Sequence, residues 1–401
     1  MLKNLVTLGS GELLGRGMHA VAFLLLARAL GNEALGQFGL ATAVTSYALL
    51  AVSQGFDAIA MRDVARKHDD LKDYAGNILG LRLLLALGTG SAIGTYVLVT
   101  GLERTTGQLL LVLTVSYVAS ALTPRWCFLA IEKPRPLAVA GLLAQGCFLA
   151  MALLVRSPTQ VLWAAGAQVV GEVVAASFLL ALLVSRSGWL TVRFNSAFAT
   201  RLVRQSWPVT LSLLLGNMLF NFDVLALGAM GRGHEIGVYL ACLRCVSVFT
   251  PLLVALQTTT FPLLARSYPD YQLVRAQVHR MTRVAVVVFG AAGLTIGILA
   301  AWLLPTVFGA GYSGGVTILQ VLAFILPIQA SRVLFRQVLL AFHLQRVDTR
   351  NLALGVMTNV VLDLVLIPRI GALGCAVSTI SAEIVFAGLS MVAVRRQLGT
   401  R

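Results

Sequence analysis

The sequence predicts an all-α polytopic membrane protein, about twelve transmembrane helices in two six-helix lobes with both termini cytoplasmic. Three observations carry that reading: an extreme apolar composition, apolar runs of span length along the whole chain, and an alternating distribution of basic residues. Hydrophobic residues make up 58% of the chain and charged residues only 12%, against about 25% charged in a soluble domain. A soluble globule this apolar has too little polar surface to cover itself. A hydrocarbon core takes about 20 apolar residues per helix, so roughly a dozen spans use most of the chain. No room is left for a soluble domain, which excludes a membrane-anchored enzyme with a separate catalytic head.

Apolar runs between polar breaks place the first six helices at 7–30, 36–58, 76–100, 107–131, 136–155 and 159–184. The second six follow at 207–230, 236–263, 283–308, 315–341, 350–367 and 371–394. The first run is not a cleavable signal, because Glu12, Arg16 and His19 interrupt it and a second helix follows after a short turn. Alternate loops hold 20 Lys and Arg on one side, among them Arg62, Arg66, Arg186, Arg201, Arg266, Arg346 and Arg395. The opposite side holds four: Arg104, Arg156, Arg232 and Arg369. That asymmetry puts both termini in the cytoplasm and makes the span count even. The net charge of +15 is therefore a topology signal and an attraction to anionic headgroups. It is not a mark of nucleic-acid binding.

The longest polar link, 185–206, falls at the centre of the chain, so the expected division is an N-terminal lobe 1–184, a basic linker 185–206 and a C-terminal lobe 207–401. The halves resemble each other: GNEALGQFGL (31–40) aligns with GRGHEIGVYL (231–240), and each is followed by Ala-Arg, at Ala65-Arg66 and Ala265-Arg266. Six spans per half make this a parallel repeat, as in transporters with two lobes around a cavity.

Ionisable groups inside a bilayer cost at least about 2.5–3.5 kcal/mol each, so they face a cavity or a partner. On the first helix Glu12, Arg16 and His19 form one polar stripe, within about 60° around the axis. Arg16 offers a planar fork of donors suited to phosphate, and its i, i+4 spacing also allows it to neutralise Glu12. The seventh helix carries Asp223 and the eighth Arg244 at matching depth, which predicts an intramembrane ion pair. Glu172 follows Gln168 by one turn, Asp363 follows Asn359 by one turn, and Glu383 lies midway along the last helix. Arg332 on the tenth helix is the deeper cavity candidate, while Arg336 and Arg125 stand near enough to helix ends to snorkel. Such a polar interior suits an anionic, hydroxyl-rich substrate better than a hydrophobic drug.

Gly pairs at i, i+4 (Gly11 and Gly15, Gly76 and Gly80, Gly293 and Gly297) predict close helix–helix contact. The five cysteines lie in apolar stretches, and the Cys242-x-x-Cys245 pair reads as small packing residues inside a span. The sequence holds no P-loop, no H-E-x-x-H and no paired metal motif, so it points to no cofactor, no metal and no ATP-driven step.

Three segments carry a resemblance to a known family. Residues 24–67, with LARALGNEALGQFGL, a Gly55-Phe56-Asp57 step and a basic loop, resemble the opening of polysaccharide or O-antigen (Wzx-type) flippases. These belong to the multidrug, oligosaccharidyl-lipid and polysaccharide (MOP) exporter superfamily. Residues 222–266 resemble that family's seventh and eighth helices, and 351–383, with NVVLDLVLIPRIGALGCA, its penultimate pair. The resemblance covers nearly the whole chain. It implies a MATE- or MOP-like transporter in the bacterial inner membrane. Such a protein moves an undecaprenyl-pyrophosphate-linked glycan to the periplasmic leaflet by alternating access, beside a polysaccharide polymerase and glycosyltransferases of its pathway. In that frame Arg16, His19, Arg244, Arg332 and Arg125 are candidate substrate contacts, and Asp223, Glu172, Glu383, Glu12 and Asp363 are candidates for ion coupling. Some relatives have two further spans that this chain lacks, which disfavours the lipid II branch. A multidrug exporter of the same superfamily is the main alternative; it favours an acidic, aromatic cavity, against which the buried arginines argue. A glycan-assembly enzyme in the membrane is the other, and the short outer loops count against it.

Overall fold

The computed structural model describes residues 2–66, 71–188, 191–267 and 270–399, and every regular element among them is a helix. In chain order these are α1 (Leu2–Ser53), α2 (Phe56–Arg66), α3 (Leu71–Thr100), α4 (Arg104–Leu113), α5 (Val115–Leu122), α6 (Arg125–Ala130), α7 (Arg135–Ala152) and α8 (Val161–Ser187). Then come α9 (Ser196–Ala229), α10 (Gly233–Ser247), α11 (Thr250–Ser267), α12 (Tyr271–Val307), α13 (Val316–Ala323), α14 (Ile325–Ala341), α15 (Gln345–Ile370) and α16 (Ala372–Gly399).

Among the described residues ten stretches are long and apolar enough to cross a membrane, and α10 with α11, bent by 41°, make an eleventh. The first of the ten is 54 residues long, about 80 Å of helix and more than twice a hydrocarbon core. Gly31, at φ 72° and ψ 177°, breaks it. Only glycine takes that backbone shape without strain, and it parts the stretch into two arms, each long enough for a span. Bilayer-facing surface is plain on α12, where Val284, Val287, Leu294, Ile298 and Trp302 are all exposed along one stripe.

The chain divides into two compact units, residues 1–217 and 218–401. The division falls within α9, so the polar stretch expected as a linker at 185–206 is helical from Ser196 onward. Asn195 caps that start, its Oδ1 accepting from the Phe198 N–H at 3.1 Å. Asp270 does the same for α12 through the Leu273 N–H at 2.9 Å. Both helices begin well before their apolar runs, because these side chains satisfy first-turn donors that the bilayer does not cover.

Each unit carries the same backbone punctuation. Gly31 and Gly231 both have left-handed φ, 72° and 73°. Glu132 and His343, each just past the fourth span of its unit, have φ 56° and 59°. Each is followed by the same closing bond, Lys133 N–H to Phe128 C=O at 2.9 Å and Leu344 N–H to Leu339 C=O at 2.8 Å. The fourth spans are themselves interrupted, at Thr114 and Thr123–Pro124 in one unit and at Phe324 in the other.

Gly11 and Gly293 do admit neighbouring helices: a Cβ at Gly11 would stand 2.8 Å from the Ala138 Cβ, and one at Gly293 2.4 Å from the Ala323 carbonyl oxygen. Gly76 and Gly80 depart from expectation. They receive not a helix but the extended strap 191–195, whose Arg193 N–H donates to the Gly76 carbonyl at 3.1 Å. A Cβ at Gly80 would lie 2.1 Å from the Arg193 carbonyl oxygen. Overpacking of this kind costs about 1–3 kcal/mol. Gly80→Ala is therefore expected to raise tryptic cleavage after Arg193 in membrane vesicles several-fold, with insertion intact. Wild-type protection would show that the strap is held elsewhere.

Candidate functional site

Ionisable side chains cluster most tightly in the C-terminal unit, where α9, α10, α15 and α16 converge. Asp223 on α9 is 2% exposed and Asp363 on α15 is fully buried. Asp223 Oδ2 accepts from the Tyr239 hydroxyl, and from Thr379 Oγ1 at 2.8 Å. Asp363 Oδ1 accepts from Ser378 Oγ, which in turn accepts from Asn359 Nδ2 at 3.4 Å. The two carboxyl groups are direct neighbours. Their remaining oxygens, Asp223 Oδ1 and Asp363 Oδ2, find no donor among the described residues. Four hydroxyl or amide side chains thus hold two acids face to face, and the cluster shows no basic partner among the described residues.

The ion pair expected between Asp223 and Arg244 is not formed, since Asp223 takes its hydrogen bonds from Tyr239 and Thr379. Tyr239 and Arg244 lie five residues apart on α10, about 140° around the helix, so the face that meets Asp223 turns Arg244 away. Arg244 stands half-buried on that other side.

Arg332 and Glu383, expected in separate roles, meet each other. Arg332 Nε donates to Glu383 Oε2 at 2.5 Å, and Gln329 Nε2 donates to Oε1 at 3.1 Å. The guanidinium also lies 4.9 Å from the centre of the Phe386 ring. Arg336, one turn on, bonds Asp348 Oδ2 at 3.0 Å rather than snorkelling alone.

In the N-terminal unit the polar stripe of α1 is split. Glu12 and Arg16 are both exposed and form no ion pair, which corrects the expected neutralisation. An exposed i, i+4 pair gains too little to offset the ordering of two long side chains. His19 instead hydrogen-bonds Gln145 on α7 at 3.1 Å and stacks on Phe148 at 5.4 Å. Glu172 on α8 is half-buried and accepts from Gln168 Nε2 at 3.1 Å. Arg125 is exposed at the start of α6.

Two arrangements escaped the sequence reading. Arg82 on α3 is 3% exposed and reaches Asp57 at 2.5 Å; the visible signal was a lone Arg in an apolar run, together with the Gly-Phe-Asp step. Arg232, counted among the outer-loop charges, donates to Glu235 at 2.8 Å and to the Pro368 carbonyl at 3.0 Å, while Glu235 accepts from the Ala372 N–H at 2.5 Å. This cross-brace closes the turn between α15 and α16.

Helices of membrane-spanning length, a backbone pattern repeated in two units and acids buried among hydroxyls describe a polytopic helical membrane protein. The chain overlays an inward-facing MATE multidrug resistance transporter of the MOP superfamily with a TM-score of 0.75 at 16% identity, over 95% of this chain and 94% of that one. The lipid II flippase MurJ, in an inward closed conformation, gives 0.76 at 11% identity, over 98% of this chain and 89% of that one. At those identities the likeness concerns the fold alone. Residues 1–268 match the model of the polysaccharide biosynthesis protein family, and the chain belongs to that family. A Shigella dysenteriae protein named O-antigen transporter is 23% identical over 355 residues, 86% of this chain and 88% of its own.

Proposed function

We propose that this protein is a flippase, not an enzyme. Its cargo is an undecaprenyl-pyrophosphate-linked oligosaccharide, an O-antigen or other surface-polysaccharide repeat unit. It carries that cargo from the cytoplasmic to the periplasmic leaflet of a bacterial inner membrane by alternating access. Family membership and the O-antigen transporter relative support the cargo. The observation that carries the mechanism is the Asp223–Asp363 pair: two acids buried together among hydroxyls, each with one oxygen that finds no donor among the described residues, form a site for a proton or a small cation. Uptake and release of that positive charge couples transport to an ion gradient. Arg16 and Arg125, exposed and free of ion pairs, are the side chains readiest to meet pyrophosphate, which a guanidinium binds bidentately. The basic loops support an orientation with both termini cytoplasmic, towards the glycosyltransferases that load the carrier; a polymerase would act on the opposite side.

Deleting the gene in its host tests the cargo. Lipid-linked glycan is expected to accumulate in the cytoplasmic leaflet, shielded from periplasmic glycosidase, and to become accessible again on complementation. Normal surface glycan in the deletion strain, with no accumulated intermediate, overturns the reading.

A further inference from the structure

The basic end of the N-terminal unit has chemistry that the transport cycle above does not use. A cavity of about 770 Å³ opens against the first turns of α9, lined by Ser196, Ala197, Thr200, Arg201, Arg204 and Gln205. Arg62 borders it, donating to Gln205 Oε1 at 3.4 Å. The neighbouring acid, Asp63, is already engaged by Arg62 at 2.8 Å and by the Tyr74 hydroxyl at 3.1 Å. Arg201 is steadied by Tyr74, whose hydroxyl accepts at 3.5 Å, and by the Phe198 ring 5.4 Å away. Arg204 makes no hydrogen bond or ion pair among the described residues, and neither the Ser196 nor the Thr200 hydroxyl is engaged there. Two guanidiniums thus line the cavity and a third, Arg62, borders it, while the nearby carboxylates Asp63 and Asp73 are already engaged by Arg62 and Arg193.

Depth decides which anion this cavity meets. Trp207, 62% exposed, follows the cavity at the point where α9 turns apolar, and an exposed Trp at such a boundary marks the membrane–water interface. Arg204 and Arg201 lie three and six residues before it, about 4.5 and 9 Å along the helix. That is the level of a headgroup layer roughly 5–8 Å thick. The strap 191–195, locked onto α3 by Gly76 and Gly80 and by Arg193 to Asp73 at 3.1 Å, fixes the helix start that forms one wall.

We propose that this cavity binds the phosphate of an anionic phospholipid headgroup, with Arg201 and Arg204 as the charged donors and the Ser196 and Thr200 hydroxyls beside them. The proposal is independent of the cargo. The full chain, purified and delipidated in detergent, is titrated with phosphatidylglycerol, phosphatidylcholine or inorganic phosphate. Bound lipid is counted by native mass spectrometry and the thermal midpoint is followed. Phosphatidylglycerol is expected to bind and raise the midpoint, with phosphatidylcholine much weaker. R201Q/R204Q is expected to lose at least tenfold in phosphatidylglycerol affinity. R346Q/R350Q, which removes two exposed arginines elsewhere, keeps wild-type affinity. R204Q alone, with no intramolecular bond to lose, guards against misfolding of the double variant and is expected to show most of the loss. An equal loss in both double variants, or no phosphatidylglycerol binding, overturns the site. An Arg204-dependent shift of the same size with inorganic phosphate overturns the lipid headgroup as its ligand.

Discussion

Asp223→Asn is expected to cut gradient-driven glycan export at least tenfold while leaving the protein inserted and as heat-stable as wild type, or more so. The substitution keeps an acceptor, so an amide oxygen can still take the hydrogen bonds of Tyr239 and Thr379. It also supplies an N–H beside Asp363 Oδ2, which finds no donor among the described residues. A buried acceptor without a donor costs about 1–3 kcal/mol, so supplying one offsets any loss of packing. What the amide cannot do is take up and release a proton, or give half of a carboxylate pair to a cation. Export rate per molecule in vesicles under an imposed gradient separates the two roles. Wild-type export with wild-type dependence on the gradient removes Asp223 from coupling. A loss of export matched by a loss of folded protein leaves the cluster a purely structural one.

The architecture was legible because bilayer physics writes it in one dimension. Span length, alternation of basic loops and the GNEALGQFGL–GRGHEIGVYL register each read along the chain, and Gly31 and Gly231 carry that register into backbone angles of 72° and 73°. Interruptions inside spans were not legible. Thr114 and Phe324 sit among apolar neighbours, so hydropathy passes through both breaks unchanged. Helix starts were missed where polar residues continue a helix beyond the apolar run, although Asn195 and Asp270 were visible capping residues. The site was half legible, and the missing half is rotation. Sequence gives the depth of a charge along a helix, which placed Asp223 level with Arg244. It does not give the face that a neighbour presents, which sets Asp223 against Tyr239 instead. Tyr239 held the usable signal: a hydroxyl inside a span needs a polar partner, and Asp223 on the preceding helix supplies it.

Breaking the Arg332–Glu383 pair should have the largest effect on folding. Glu383 has a side chain 1% exposed and Arg332 one 11% exposed, so removing either partner strands the other in a setting that cannot solvate it. Such a loss costs about 3–5 kcal/mol, whereas replacing both partners with apolar residues of similar volume is often neutral. Glu383→Gln alone is therefore expected to lower the amount of folded protein in the membrane severely. Arg332→Met with Glu383→Leu is expected to restore it, because Phe386 already offers an apolar face beside the guanidinium. Export by the double variant then separates scaffold from site. Arg332 uses Nε for Glu383, and its two terminal nitrogens remain as a donor pair of the kind that pyrophosphate accepts. We expect the double variant to be abundant and heat-stable yet to export less than a tenth of the wild-type amount of glycan. Restored protein with restored export would reduce the pair to a structural clamp between α14 and α16. An unrestored fold would show that the surroundings demand charge and not volume.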